Sequence, residues 1–199
     1  MNFNGAKVKK SRSLGVALTP KAERIMKKRP NPPGSTGNQR RRRKSEYGIQ
    51  LLEKQRLRFQ YNVGETYLQR MFEKANRMPG VTGENLIGLL ESRLDSLVLR
   101  AGLAPTIYAA RQYVTHGHFT VNGQKATIPS QRLKPGDVIA VKPRSQSMTI
   151  FNEMRGQGSS VPYVESDLGS FTARFVFAPV RTDVPVICDE HLVVEYYSR

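Results

Sequence analysis

The apolar positions of this 199-residue chain change period along its length. Between residues 45 and 60, Tyr47, Leu51 and Leu52, with Gln55 and Phe59, recur at helical spacing, and Lys54, Arg56 and Arg58 fall on the other face. That pattern predicts one amphipathic helix. After Asn62-Val63-Gly64, residues Tyr67, Leu68, Met71, Phe72 and Ala75 mark a second helix, ended by Met78-Pro79-Gly80. Thr82-Gly83-Glu84 opens a third, with Leu86, Leu90, Leu94 and Leu97 on one stripe and Gly102 as its stop. Pro105-Thr106 opens a fourth through Ile107, Ala110 and Val114, terminated at His116-Gly117. The period then falls to two. Phe119 and Val121 alternate with Thr120 up to Asn122-Gly123, the dipeptide that best supports a type I′ hairpin turn, and residues 125–128 form the return strand. Leu133-Lys134-Pro135-Gly136-Asp137 is a further turn and Val138–Val141 a further strand. Residues 143–170, rich in Ser, Gly and Gln, read as loop or linker, and strand character returns over 171–177 and 192–197.

Residues 1–45 carry no such period. Asn31-Pro32-Pro33-Gly34-Ser35-Thr36-Gly37 opposes helix and strand alike, although Thr19 as cap and Pro20 at the first helical position would support a short helix around Pro20–Lys28. The expected class is α+β. A basic extended arm (1–45) precedes a mostly helical domain (46–91, completed by 171–199). A small α/β module of two helices and a short sheet (92–157) is inserted before the C-terminal segment, with 143–170 as loop.

Charge changes the picture. Of a net +16, nearly all lies in residues 1–58, which hold 17 Lys and Arg against 3 Asp and Glu. The run Arg40-Arg41-Arg42-Arg43-Lys44 repels itself in free solution, and a polyanion relieves that repulsion while releasing condensed counterions. Nucleic acid is the expected partner. A membrane is not: no apolar run approaches bilayer-spanning length, no signal region follows the N-terminus, and Pro and Gly at 30–37 interrupt any amphipathic helix. The one cysteine, Cys188, forms no internal disulfide, which fits a reducing compartment. Cys188, His116, His118 and His191 are scattered with the wrong spacing for a four-ligand zinc site, so no metal and no cofactor is expected.

The most specific segment runs from Glu91-Ser-Arg-Leu-Asp-Ser-Leu-Val-Leu-Arg-Ala-Gly-Leu through Ala109-Ala-Arg-Gln-Tyr-Val-Thr-His-Gly to His118-Phe-Thr-Val-Asn-Gly and Lys134-Pro-Gly-Asp-Val-Ile. It resembles the RNA-binding module named after the fourth protein of the small ribosomal subunit. Ser45-Glu-Tyr-Gly-Ile-Gln-Leu-Leu-Glu-Lys-Gln-Arg-Leu-Arg-Phe, Thr82-Gly-Glu-Asn-Leu and Asp189-Glu-His-Leu-Val-Val-Glu-Tyr-Tyr-Ser-Arg extend the resemblance to the S-four family of small-subunit ribosomal proteins. The resemblance implies a primary binder of the 5′ domain of small-subunit ribosomal RNA, at a multi-helix junction. It also implies early assembly of the subunit body, contact with the fifth small-subunit protein, proximity to messenger RNA near its channel into the subunit, and a part in decoding accuracy. The location implied is the ribosome, in a bacterial cytoplasm or an organelle, with no homo-oligomer. Two departures stand out. Many bacterial members carry four N-terminal zinc-ligand cysteines, and residues 1–44 hold none; Ala104-Pro105 also stands where relatives commonly carry an arginine near Thr106.

The surface assigned to RNA comprises Lys9, Lys10, Arg12, Arg40, Arg41, Arg42, Arg43, Lys44, Lys54, Arg56, Arg58 and Arg70 before the module. Within it the candidates are Arg93, Arg100, Thr106, Arg111, Gln112, His116, His118, Asn122 and Lys125. Arg111 is the first choice for a phosphate contact. Arg93 and Asp95, two apart, do not pair along a helix, so Arg93 either meets RNA or pairs elsewhere. Tyr67, Phe72 and Tyr113 read as core rather than base-stacking groups, and Cys188 as a buried thiol. Arg93-Leu94-Asp95 also matches the catalytic tripeptide of pseudouridine synthases. Here it lies in a leucine-periodic helix with no separate catalytic domain, so no enzyme is expected. The alternative reading is a free RNA-binding factor, or a modifying enzyme, carrying the same module.

Overall fold

A computed structural model of the chain describes residues 3–34, 45–154, 161–167 and 169–199. In chain order the helices are α1 Lys7–Leu14, α2 Pro20–Lys28, α3 Glu46–Gln60, α4 Glu65–Asn76, α5 Thr82–Glu91, α6 Leu94–Arg100, α7 Ile107–Thr115, α8 Pro143–Gln146, α9 Thr149–Asn152 and α10 Glu190–Tyr197. The strands are β1 Phe119–Val121, β2 Gln124–Ala126, β3 Val138–Val141, β4 Val164–Asp167 and β5 Thr172–Phe175. They form two compact units, Met1–Gly83 with Val186–Arg199, and Glu84–Pro185. None of the described helices is long and apolar enough to cross a membrane.

In the first unit the expected extended arm is corrected by α1, while α2 is the short helix expected at Pro20–Lys28. Gly15 ends α1 at φ 71, donating to the Ser11 carbonyl, and the Ser11 hydroxyl accepts the Leu18 N–H at 3.1 Å. Thr19 then caps α2 by accepting the Ala22 N–H, with Pro20 at the first position. Leu14, Val16, Leu18 and Ala22 are buried, and Arg56 Nε holds the Leu14 carbonyl at 2.8 Å. Four apolar residues in a helix–turn–helix are too few to register as a period, yet enough to dock it on α3.

The buried residues of α3 are Gln50, Glu53, Lys54, Leu57 and Phe59, so of the expected Tyr47, Leu51, Leu52, Gln55 and Phe59 face only Phe59 is buried, and Tyr47 is exposed. The cover of α3 is α10, where a strand was expected over 192–197. Asp189 caps α10 by accepting the His191 N–H. Helical spacing then buries Val193, sets Glu195 on Gln50 Nε2 at 2.9 Å, and stacks Tyr197 on Phe72 with centroids 5.0 Å apart. A strand would have thrown Tyr196 and Tyr197 to opposite sides.

In the second unit the expected single leucine helix is two. The chain leaves the helix at residues 92–93, where Arg93 is extended (φ −74, ψ 145) and α6 restarts at Leu94. The first amides of α6 are satisfied from a distant loop: Leu94 N–H by the Gln131 carbonyl at 2.8 Å and Asp95 N–H by the Pro129 carbonyl at 3.2 Å. The α6–α7 pair lies in the same unit as an antiparallel sheet of order β2-β1-β3-β5-β4. Asn122 (φ 50) and Gly123 (φ 80) make the β1–β2 turn with both residues left-handed, as type I′ demands. β3 pairs β5 with Ile139 opposite Ala173, and β5 pairs β4. Residues 171–175 therefore extend the module's sheet instead of completing the helical domain, and the expected loop at 143–170 contains α8, α9 and β4.

Candidate nucleic-acid interface

Folding consumes much of the charge on α3. Lys54, 3% exposed, donates to Glu65 Oε1 at 2.9 Å and lies 4.4 Å above the Tyr196 ring. Arg58 donates to the Val63 carbonyl at 3.2 Å and reaches Glu65 Oε2 at 3.5 Å; Arg56 pairs with Glu53 at 2.5 Å. Burial works to raise the Glu65 carboxyl, but hydrogen bonds from Lys54 and Tyr197 and the charges of Lys54 and Arg58 win and hold it below the usual glutamate range. The expectation that Lys54 faces RNA is thus corrected: it neutralises a carboxylate inside the unit. Arg56 and Arg58 keep only part of their surface.

Lys9 and Arg70, in contrast, are exposed. Lys10 sits 4.3 Å over the Phe59 ring, and Arg12 donates from Nε and Nη2 to the Asn31 carbonyl at 3.0 and 2.7 Å. The sequence reading missed Lys74 and Arg77, which follow Arg70 at helical spacing and are exposed opposite buried Leu68, Phe72 and Ala75. The same i, i+4, i+7 pattern was legible in the chain. Arg40, Arg41, Arg42, Arg43 and Lys44 lie outside the described residues.

Two buried carboxylates organise three arginines of the second unit, Arg93, Arg100 and Arg111. Asp95, wholly buried, accepts Arg93 Nε at 2.9 Å and Nη2 at 2.5 Å, the Ser96 N–H at 3.0 Å and Arg111 Nη1 at 3.3 Å. Burial pushes its carboxyl up against the pull of those donors. Glu91 accepts Arg100 Nη2 at 2.6 Å and the Tyr163 hydroxyl at 3.0 Å; burial, and then the Glu91 charge, push that phenol far up. Arg93 and Arg100 as surface RNA contacts are therefore corrected. Because Arg93 is extended rather than helical, its side chain folds back on Asp95 two residues on. The same pairing fills the carboxylate that the enzymatic tripeptide would need free. Arg111 keeps 27% of its side chain exposed.

Around the α7–β1 connection other cations gather. Gly117 has φ 75, and a Cβ there would lie 3.2 Å from Lys125 Cε and 3.8 Å from Lys142 Nζ. His116 and Lys125 are exposed, and His118 Nδ1 lies 3.0 Å from Ser145 Oγ. Desolvation, then the charges of His116 and Lys142, lower the His118 pKa. Lys142 escaped the sequence reading because only the β1–β3 register sets it beside His118, whose carbonyl takes its N–H at 2.9 Å. Gln112 is exposed on α7, and Thr106 is spent as its cap, accepting the Ala109 N–H at 3.1 Å. Asn122 serves as a clamp, with Nδ2 on Asp137 Oδ1 at 2.8 Å and Oδ1 under the Val138 N–H at 2.9 Å. Of the three aromatics read as core, Phe72 is buried, while Tyr67 and Tyr113 are half-buried. Cys188 is half-buried too.

Comparison with known proteins adds to this geometry. Residues 2–91 match the family described as ribosomal protein S4/S9 N-terminal domain, and residues 92–139 match the S4 domain. The small ribosomal subunit protein uS4 of Streptomyces avermitilis is 50% identical over 204 residues, covering 100% of this chain and 99% of its own. That of Streptomyces coelicolor is 50% identical over 198 residues, covering 97% of each. The uS4 of Micrococcus luteus is 48% identical over 199 residues, covering 96% and 95%.

Proposed function

Because this chain belongs to the S4 family of small ribosomal subunit proteins, we propose that it is a structural, non-catalytic constituent of the small ribosomal subunit whose ligand is small-subunit ribosomal RNA. Within that role we infer a primary binder of the 5′ domain at a junction of several RNA helices. There it nucleates the body of the subunit and contributes to translational accuracy, beside the fifth small-subunit protein and near messenger RNA.

The observation that carries this reading is the sorting of charge. Cations that point inward are neutralised by Glu53, Glu65, Glu91 and Asp95. Lys9, Arg70, Lys74, Arg77 and Lys125 remain on the surface. A-form RNA hides its base edges in a deep groove and presents phosphates and 2′-hydroxyls, so surface cations fixed on each folded unit read junction shape rather than sequence. If about eight phosphates are neutralised, affinity falls by orders of magnitude between about 50 and 200 mM salt.

The test is binding of the full chain to a 5′-domain transcript against an unbranched duplex of equal length. Preference for the branched RNA that persists as salt rises supports the proposal; equal attraction to both, or to any polyanion, overturns it. Arg111→Gln removes a partly exposed charge on the module without setting a carboxylate against buried Asp95, and is expected to weaken junction binding about tenfold with little change in thermal midpoint.

A further inference from the structure

In the N-terminal unit, Phe3, Ala6, Lys9, Lys10, Ser13 and Pro33 line an open cavity of about 460 Å³. Its walls are held in place from several sides. The Phe3 N–H donates to Asn62 Oδ1 at 3.1 Å, and its ring meets Phe59 edge to face with centroids 5.1 Å apart. A Cβ on Gly5 would lie 2.9 Å from the Phe3 ring, so a bare glycine is what lets that ring fold back over its own backbone. On the other side, the fork of Arg12 on the Asn31 carbonyl ties the chain leading to Pro33 against α1. Among the described residues the lining joins an aromatic ring, a proline ring, an alanine and a serine with two lysines and no carboxylate.

We propose that this cavity receives a single unstacked nucleotide of the ribosomal RNA, with its base between Phe3 and Pro33 and its phosphate at Lys9 and Lys10. The proposal rests on the RNA-binding reading above and names a subsite for it. The volume is within the range of pockets that enclose one small ligand, about 300–1,000 Å³, and is far too small for a duplex. A flat apolar wall suits the π-face of any base, and the neighbouring cations suit the phosphate it drags along. Sequence-specific contacts to folded RNA fall on such splayed-out nucleotides, because paired ones show only their backbone. A nucleotide joins a flat ring and an anion in one unit and so matches both kinds of lining, whereas an acidic side chain supplies the anion alone.

The experiment uses the full chain bound to the 5′-domain transcript, with ultraviolet crosslinking and mass spectrometry of the peptides. The peptide containing Phe3 is expected to carry one nucleotide. Phe3→Leu should abolish that adduct and weaken binding about five- to hundredfold, the range for losing one base–aromatic stack. Lys9→Gln should reduce the salt slope by about 0.7, one single-strand phosphate contact. Since Phe3 also packs on Phe59, Ser13→Trp serves as a second variant, filling the cavity from an exposed rim position. It should reproduce the affinity loss with an unchanged thermal midpoint. Wild-type affinity in both variants, with no adduct on Phe3, overturns the subsite while leaving selective RNA binding intact. Failure of the unaltered chain to prefer the transcript overturns both.

Discussion

Asp95 is wholly buried and accepts hydrogen bonds from two guanidiniums and a backbone amide. Removing it would take from Arg93, itself 1% exposed, the carboxylate to which both its Nε and Nη2 donate. Asp95→Ala is therefore expected to cost about 3–5 kcal/mol in urea denaturation; a loss below about 1 kcal/mol would show that Arg93 finds water instead. Asn122 makes the complementary case, because its backbone is left-handed at φ 50 and its amide bridges Asp137 and Val138. Asn122→Gly retains the backbone but loses the bridge, at about 1 kcal/mol. Asn122→Ala adds the left-handed penalty, about 1–2 kcal/mol more. Equal midpoints for the two variants would contradict the strain argument. At this scale the turn was legible, since Asn-Gly implies it. The fate of Arg93 was not: a guanidinium two residues from a carboxylate looks unable to pair until the backbone is known to be extended there.

Between elements, α3, α4 and α10 meet at a polar node in which Lys54 and the Tyr197 hydroxyl both donate to Glu65 Oε1, at 2.9 and 2.7 Å. Glu65 titrates below its ordinary value of 4.5, so its stabilising contribution is whole above that value and is lost as pH falls through its lowered pKa. Acidification from about pH 5 to about pH 3 should cost the native chain more thermal stability than Glu65→Gln, with parallel curves as the contrary result. Deleting residues 190–199 should open the same seam. The Gln50, Glu53, Lys54 and Leu57 stripe of α3 would lose its cover, and limited proteolysis should then cut α3 in the free protein. Element type was readable where a cap or turn residue declares itself, as at Thr19-Pro20. It was misread at α10, whose Leu-Val-Val-Glu-Tyr-Tyr has strand propensity overridden by packing. The leucine stripe of α5 and α6 continues in register across a real break, because carbonyls from residues 129 and 131 replace the helix's own at its restart.

For the molecule as a whole, a net +16 concentrated toward one end opposes its own compaction until a polyanion or salt screens it. The thermal midpoint of the free protein should rise with salt while its affinity for 5′-domain RNA falls, and a shared direction for both would refute that account. Composition alone pointed to a nucleic-acid partner, since charge asymmetry needs no fold to be counted. Local pattern gave the β1–β3 hairpin region and the helices at α2, α3, α4 and α7, where capping and turn chemistry act within a few residues, but not α1 or the break between α5 and α6. Only the tertiary structure decided which cations are free to meet RNA. Lys54, Arg93 and Arg100 look no different in sequence from Arg70 and Lys125, and they part company through carboxylates up to 11 residues away and through burial that no local period encodes.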